Sequence, residues 1–149
     1  MFVMLLITLV AVGAAVAAWL RPLPQSTSAT PPSPSYGEQQ VADAKAKVCT
    51  AFEKVHHVLQ MNSTRSGGDD PNSQLLVAIN ARQIFMTGSA YLLTTLSDDP
   101  ATAPDLAAAV SNLAHLYQVI TLDGLASDLS VPSQNAANAT SSEIEGLCK

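Results

Sequence analysis

Hydrophobic positions follow two regimes along this chain. Residues 2–20, FVMLLITLVAVGAAVAAWL, form an unbroken apolar run without a charged side chain, closed by Arg21-Pro22. As a helix the run would cover roughly 29 Å, the thickness of a bilayer's hydrocarbon core. From Glu38 onward the apolar residues instead recur at spacings of three and four, the period of a helix with one buried face. Between the two lies PLPQSTSATPPSPSY, residues 22–36, with five Pro, six Ser or Thr and no charge. Such a segment cannot bury a core and should be extended and polyproline-like. The divisions expected are a transmembrane anchor at 1–21, a linker at 22–36 and a helical domain at 37–149.

The periodic region predicts four helices. The first opens on Ser35-Tyr36-Gly37-Glu38, a capping box in which Ser35 and Glu38 satisfy each other's backbone donors. Val41, Val48 and Val55, with Ala44, Ala51, Val58, Phe52 and Leu59, form its inner face, and it ends near Met61. Asp70-Pro71 starts the second, with Asp as N-cap and Pro in the first turn, and Asp98-Asp99-Pro100 stops it after Leu96. Its main stripe is Leu75, Ala78, Ile79, Phe85, Met86, Leu93 and Leu96, and Leu76, Val77, Ile84 and Tyr91 lie opposite. A helix apolar on two sides is expected to be the most enclosed of the four. The third starts at Thr102-Ala103-Pro104-Asp105, buries Leu106, Val110, Leu113, Leu116, Tyr117 and Ile120, and should weaken at Asp123-Gly124. The fourth spans Ser133 to Cys148 with Ala136, Ala137, Thr140, Ile144 and Leu147 inward. It is the poorest in apolar content.

The two cysteines, Cys49 and Cys148, change what the apolar run means. An even cysteine count behind an export-like segment reads as a disulfide, formed in an oxidising compartment; two buried free thiols are the alternative. The run is longer than a signal core and has no basic residue before it, and Trp19 suits an interfacial aromatic. It reads as a retained anchor rather than a cleaved signal. Arg21 taken alone would hold the C-terminal side in the cytoplasm. The cysteine pair argues for the opposite orientation, with the domain outside. A Cys49–Cys148 link closes a loop of about 100 residues, up to ~4.7 kcal/mol on the chain-entropy account, and would clamp the weak fourth helix to the first. In an up-down bundle the last helix ends near the start of the first. Cys49 is about 13 residues into helix one, so GEQQVADAKAK should project beyond the bundle as a short stalk.

The chain carries a net charge of −5, and residues 37–149 hold all 12 acidic side chains against six of the seven basic ones. An acidic, aromatic-poor domain lacks the basic face that nucleic acid requires, and anionic lipid heads would repel it. His56-His57 with His115 raises a metal site. Adjacent helix positions point ~100° apart, so the pair cannot chelate one ion, and no metal is expected. Arg82 sits in the main apolar stripe of helix two and must find a partner. The candidates are an ion pair with Glu53 or Asp105, a helix-end carbonyl, or the anionic group of a ligand. Asn80 reads as an interhelix hydrogen bonder. Gly67-Gly68-Asp69-Asp70 is a turn and cap rather than a calcium loop, because the spaced oxygen ligands are missing. Asn62-Ser63-Thr64 and Asn138-Ala139-Thr140 match the glycosylation acceptor pattern. No nucleophile elbow, phosphate loop or zinc-protease pair occurs, and neither catalytic residues nor a cofactor are expected.

Anchor, Pro-rich spacer and VADAKAKVCTAFEKV, with LLVAINARQIFMTGSAYLLTTL and the terminal IEGLCK, resemble the alanine- and proline-rich single-pass membrane proteins of mycobacterial-type cell envelopes. The resemblance runs from the spacer onward and is compositional and helical. It implies an envelope location and the two-cysteine domain, and it transfers no functional residues because that family has no assigned activity. One departure is that essentially nothing precedes the apolar run here, which leaves a shortened start open. The expectation is an all-α chain: transmembrane helix, Pro-rich linker and small up-down four-helix bundle with one disulfide, its C-terminal domain extracytoplasmic. Its partners would be the bilayer, through residues 2–20, and another envelope or membrane protein. The leading function is a non-enzymatic interaction or accessory module of the envelope, possible as a subunit of a larger membrane assembly. The alternative is a carrier or sensor of a small apolar or anionic ligand held among the helices.

Overall fold

The computed structural model describes residues 35–126 and 131–149. The expected anchor and residues 22–34 of the linker lie outside them. Among the described residues no helix is long and apolar enough to cross a membrane. Residues Ser35–Lys149 form one compact unit of four helices: α1 Glu38–Ser63, α2 Pro71–Asp98, α3 Pro104–Leu125 and α4 Val131–Leu147.

The run of partners shows that successive helices are antiparallel. Along α1 and α2, Asn62 meets Asn80, Val55 meets Gly88 and Lys47 meets Asp99. Arg82 reaches Gly124 and Ser89 reaches Gln118 between α2 and α3. Asn112 meets Thr140 and Asp123 meets Ser133 between α3 and α4. Cys49 and Cys148 are disulfide-bonded, with Cα atoms 5.7 Å apart, which brings the end of α4 to the first half of α1. The up-down bundle and its staple are both present.

The core is built mainly by α1 and α3. Val48, Phe52 and Val55 face Leu106, Val110, Leu113 and Tyr117, with Leu92 from α2 and Ile144 from α4 completing it. In α3 the three-four spacing works as written, helped by Ala109 and Ala114, whose small side chains let neighbours approach. The helix continues through Asp123-Gly124 without a break. In α4, Ala137, Thr140, Ser141 and Ile144 are buried, whereas Ala136 is exposed, contrary to its expected inward place.

Two boundary expectations and one inward placement need correction. The N-cap of α1 is Gly37, and Gln40 accepts from the Gly37 N–H at 2.9 Å. The box is thus shifted two residues from Ser35/Glu38, and a glycine cannot return the reciprocal side-chain bond. The stalk shrinks: Glu38–Asp43 is largely exposed, but Ala44 is buried and Lys47 Nζ bonds Asp99 Oδ1 at 2.6 Å. The corner after α2 lies beside this part of α1 from its first turn, where Tyr36 and Gln40 line a pocket with Asp99, Pro100 and Ala101. Val58, expected inside, is 42% exposed. The Asp70 cap is as expected, its carboxylate accepting from the Ser73 N–H and hydroxyl.

Candidate functional surfaces

Helix α2 departs most from its sequence. Its buried residues are Gly88, Ser89 and Leu92, with Ala81 and Phe85 half-buried on the same line. Four of the seven residues of the expected inner stripe face out, Leu75 at 55% exposure, Ile79 at 48%, Met86 at 60% and Leu93 at 38%, while Ala78, Phe85 and Leu96 are half-buried. The helix is rotated by roughly 75° from the orientation its large side chains suggest, given ~100° per residue. Small residues are the cause. At Gly88 an added Cβ would stand 2.7 Å from Val55 Cγ1, so α1 lies against α2 where no side chain intervenes. Ser89 accepts from Gln118 Nε2 at 2.9 Å, which ties the same line to α3. The helix expected to be most enclosed is instead the one with most apolar surface in solvent.

That outer face is also nearly uncharged. Between Asp70 and Asp98 the only ionic side chain is Arg82. Its Nη2 donates to the Gly124 carbonyl at 2.7 Å, so of the partners weighed for it the structure gives the helix-end carbonyl, where the negative end of the α3 dipole also favours a cation. Beside it Leu122 and Leu125 of α3 are each 64% exposed. Helix α1 carries six ionic side chains and α3 and α4 two acidic ones each, so between its ends α2 is the least charged of the four.

Two concavities flank α2. A cleft of about 440 Å³ opens at the end of the bundle remote from the disulfide, between α1 and α4. Its floor includes Leu59, Phe85 and Tyr117, and Gln60, Asn138 and Ser141 line its edge. Phe85 and Tyr117 stack with centroids 5.2 Å apart. Burial pushes the Tyr117 hydroxyl up to about 12, and its hydrogen bond with Ser141 offsets only part of that. On the other side, a groove of about 500 Å³ between α1 and α2 is lined by Val55, Val58, Ile84, Gly88 and Tyr91, with Lys54 at its end. Ile84 and Tyr91, expected on one side of this helix, line the groove together, whereas Leu76 of the same side and Arg82 do not.

The remaining candidates resolve simply. His57 and His115 are exposed. His56 packs on the Phe52 ring, accepts from Gln60 Nε2 at 2.8 Å and lies 3.7 Å from Glu145. Among the described residues no three His, Cys, Asp or Glu side chains converge as metal ligands. Asn80 Nδ2 donates to Asn62 Oδ1 at 2.7 Å, the interhelix bond expected of it. Asn62 is therefore engaged and only 8% exposed, so Asn62-Ser63-Thr64 is not an accessible acceptor in the folded domain, whereas Asn138 is exposed. No family model matches this chain, and no curated protein or solved structure matches it either.

Proposed function

We propose that the domain is a non-enzymatic docking module of the cell envelope, tethered to a membrane by residues 2–20 through the linker at 22–36. The face of α2 marked by Leu75, Ile79 and Met86 would receive another envelope or membrane protein. The supporting observation is the outward turn of that face, with Ile79 48% and Met86 60% exposed on a helix bearing a single charge between its ends. Exposed contiguous apolar surface depleted of charge is the composition of an interface core, where Met and Arg are also enriched. A 3–4 spacing along one line is how a helix presents itself to a partner's apolar face.

The test is photocrosslinking in intact cells, with a photoreactive amino acid at Ile79 and, separately, at the exposed α4 residue Glu143. Adducts of defined mass are expected from position 79 and not from 143, and Met86→Lys should abolish them. Equal adducts at both positions, or none at 79, would overturn the proposal.

A further inference from the structure

The groove between α1 and α2 lies on the opposite flank of α2 from the docking face, and its chemistry is different. We infer that it binds a single acyl chain ending in a carboxylate, the chain lying along Val55, Val58 and Ile84 and the head at Lys54. This does not rest on the docking proposal and can fail or stand without it.

Three observations carry it. First, the groove is apolar and elongated. Lys54, Val58 and Met61 follow one flank of α1 at i, i+4, i+7, while Tyr91, Thr87, Asn80 and Leu76 follow one flank of α2. From Tyr91 to Asn80, the span of its lining on α2, this is ~16 Å along the axis, the reach of most of one extended acyl chain. Met61 and Leu76, which continue those flanks, are 53% and 66% exposed, so apolar surface extends the groove away from the lysine. Second, Gly88 sets the depth: with no side chain there, Val55 and Val58 of α1 form the floor beside Ile84. The volume of about 500 Å³ falls within the range of small-molecule sites, and suits one chain better than a two-chain lipid.

Third, the charge is placed at one end and is of one sign. Lys54 Nζ stands 5.6 Å from the centre of the Tyr91 ring, an arrangement that holds the ammonium over the groove's end. No carboxylate lines the groove, and neither ion pair among the described residues involves Lys54. A monoanion at the head of an apolar body would add an ion pair to the Tyr91 contact that already holds this ammonium. A neutral body would leave the lysine unused. A dianionic phosphate would ask for more donors than one ammonium and would be better met by an arginine fork.

The experiment uses the full chain in phosphatidylcholine nanodiscs, exposed to palmitic acid carrying a mid-chain diazirine or to the methyl ester of the same probe. Crosslinks are mapped by mass spectrometry. The acid should label Val55, Val58, Ile84, Thr87 and Tyr91 roughly fivefold more than the ester, the upper end of what an exposed charge pair supports. Lys54→Glu should remove that preference, and Lys45→Glu, an equal change of charge elsewhere on α1, should leave it. Equal labelling by acid and ester, an unchanged preference in Lys54→Glu, or labels confined to residues 2–20 would each overturn the inference. Circular dichroism on both variants separates a lost site from a lost fold.

Discussion

Gly88 decides how two helices meet. Alanine is a better helix residue than glycine by about 1 kcal/mol, so an open helical glycine should gain from the change. At Gly88 the new methyl group would collide with Val55, a buried β-branched side chain with little rotamer freedom. Gly88→Ala is therefore expected to destabilise the bundle by roughly 1–3 kcal/mol. Gly146 in α4 has nothing within 4 Å of such a methyl, and Gly146→Ala should stabilise by up to about 1 kcal/mol. Urea unfolding of the pair checks both signs. Arg82 makes a smaller case. Arg82→Met deletes the bond to Gly124 and should cost about 1 kcal/mol, read most clearly as faster amide exchange at residues 122–126 with the rest of the bundle unchanged.

At the scale of elements, pH separates two helices. Hydrogen bonds from Ser73 hold the Asp70 carboxyl below its ordinary 3.8, because the ionised form is the better acceptor at the α2 N-cap. The stabilisation is present above that ordinary value and is lost as pH falls through the lower folded one. Asp70→Ala should lower Tm at pH 6, and the gap from the parent should close below pH 4. Tyr117 in α3 behaves oppositely. Burial raises it to about 12, so its contribution is intact below pH 10 and drains away as pH rises toward 12. Tyr117→Phe should retain more of its Tm at pH 11 than the parent does, measured by thermal scans from pH 8 upward.

The same elements show what the sequence made legible. Helix number, the Asp70 cap, the α3 stripe and the cysteine pair follow from spacing and turn chemistry, and the structure agrees with each. The orientation of α2 does not follow. A wheel weighs Leu75, Ile79 and Met86 heavily and Gly88 and Ser89 lightly, whereas close helix packing rewards the small residues. The line Ala81, Phe85, Gly88, Leu92 carries that signal at the same helical spacing, and reading small residues as contact points would have found it. The groove was half legible: Ile84 and Tyr91 were placed together on one side of α2. Lys54 was missed because the alignment of α1 against α2 that sets it over Tyr91 is made by Gly88 and Val55.

For the whole molecule, the weakest helix and the staple belong together. Helix α4 buries Ile144 and three small residues, which is little apolar area against the entropy of ordering 17 residues. The disulfide spans a sequence separation of 99 and contributes up to ~4.7 kcal/mol through the unfolded chain. In a Cys49→Ala/Cys148→Ala variant, α4 should lose exchange protection first, while α3 and the adjoining half of α1 keep most of theirs. Uniform loss across all four helices would show that the bundle folds only as a single cooperative block.

The placement of that bond also sets how the domain would bear a mechanical load. A pull applied between the chain before Ser35 and the C-terminal Lys149 peels α1 only as far as Cys49, where the force passes through sulfur directly to Cys148. Everything between the two cysteines, about 340 Å of contour at full extension, is hidden from such a pull. The outward face of α2 and the α1–α2 groove both lie within that loop, so a pull between the two ends of the chain would strain one short helical lead and leave both surfaces unloaded.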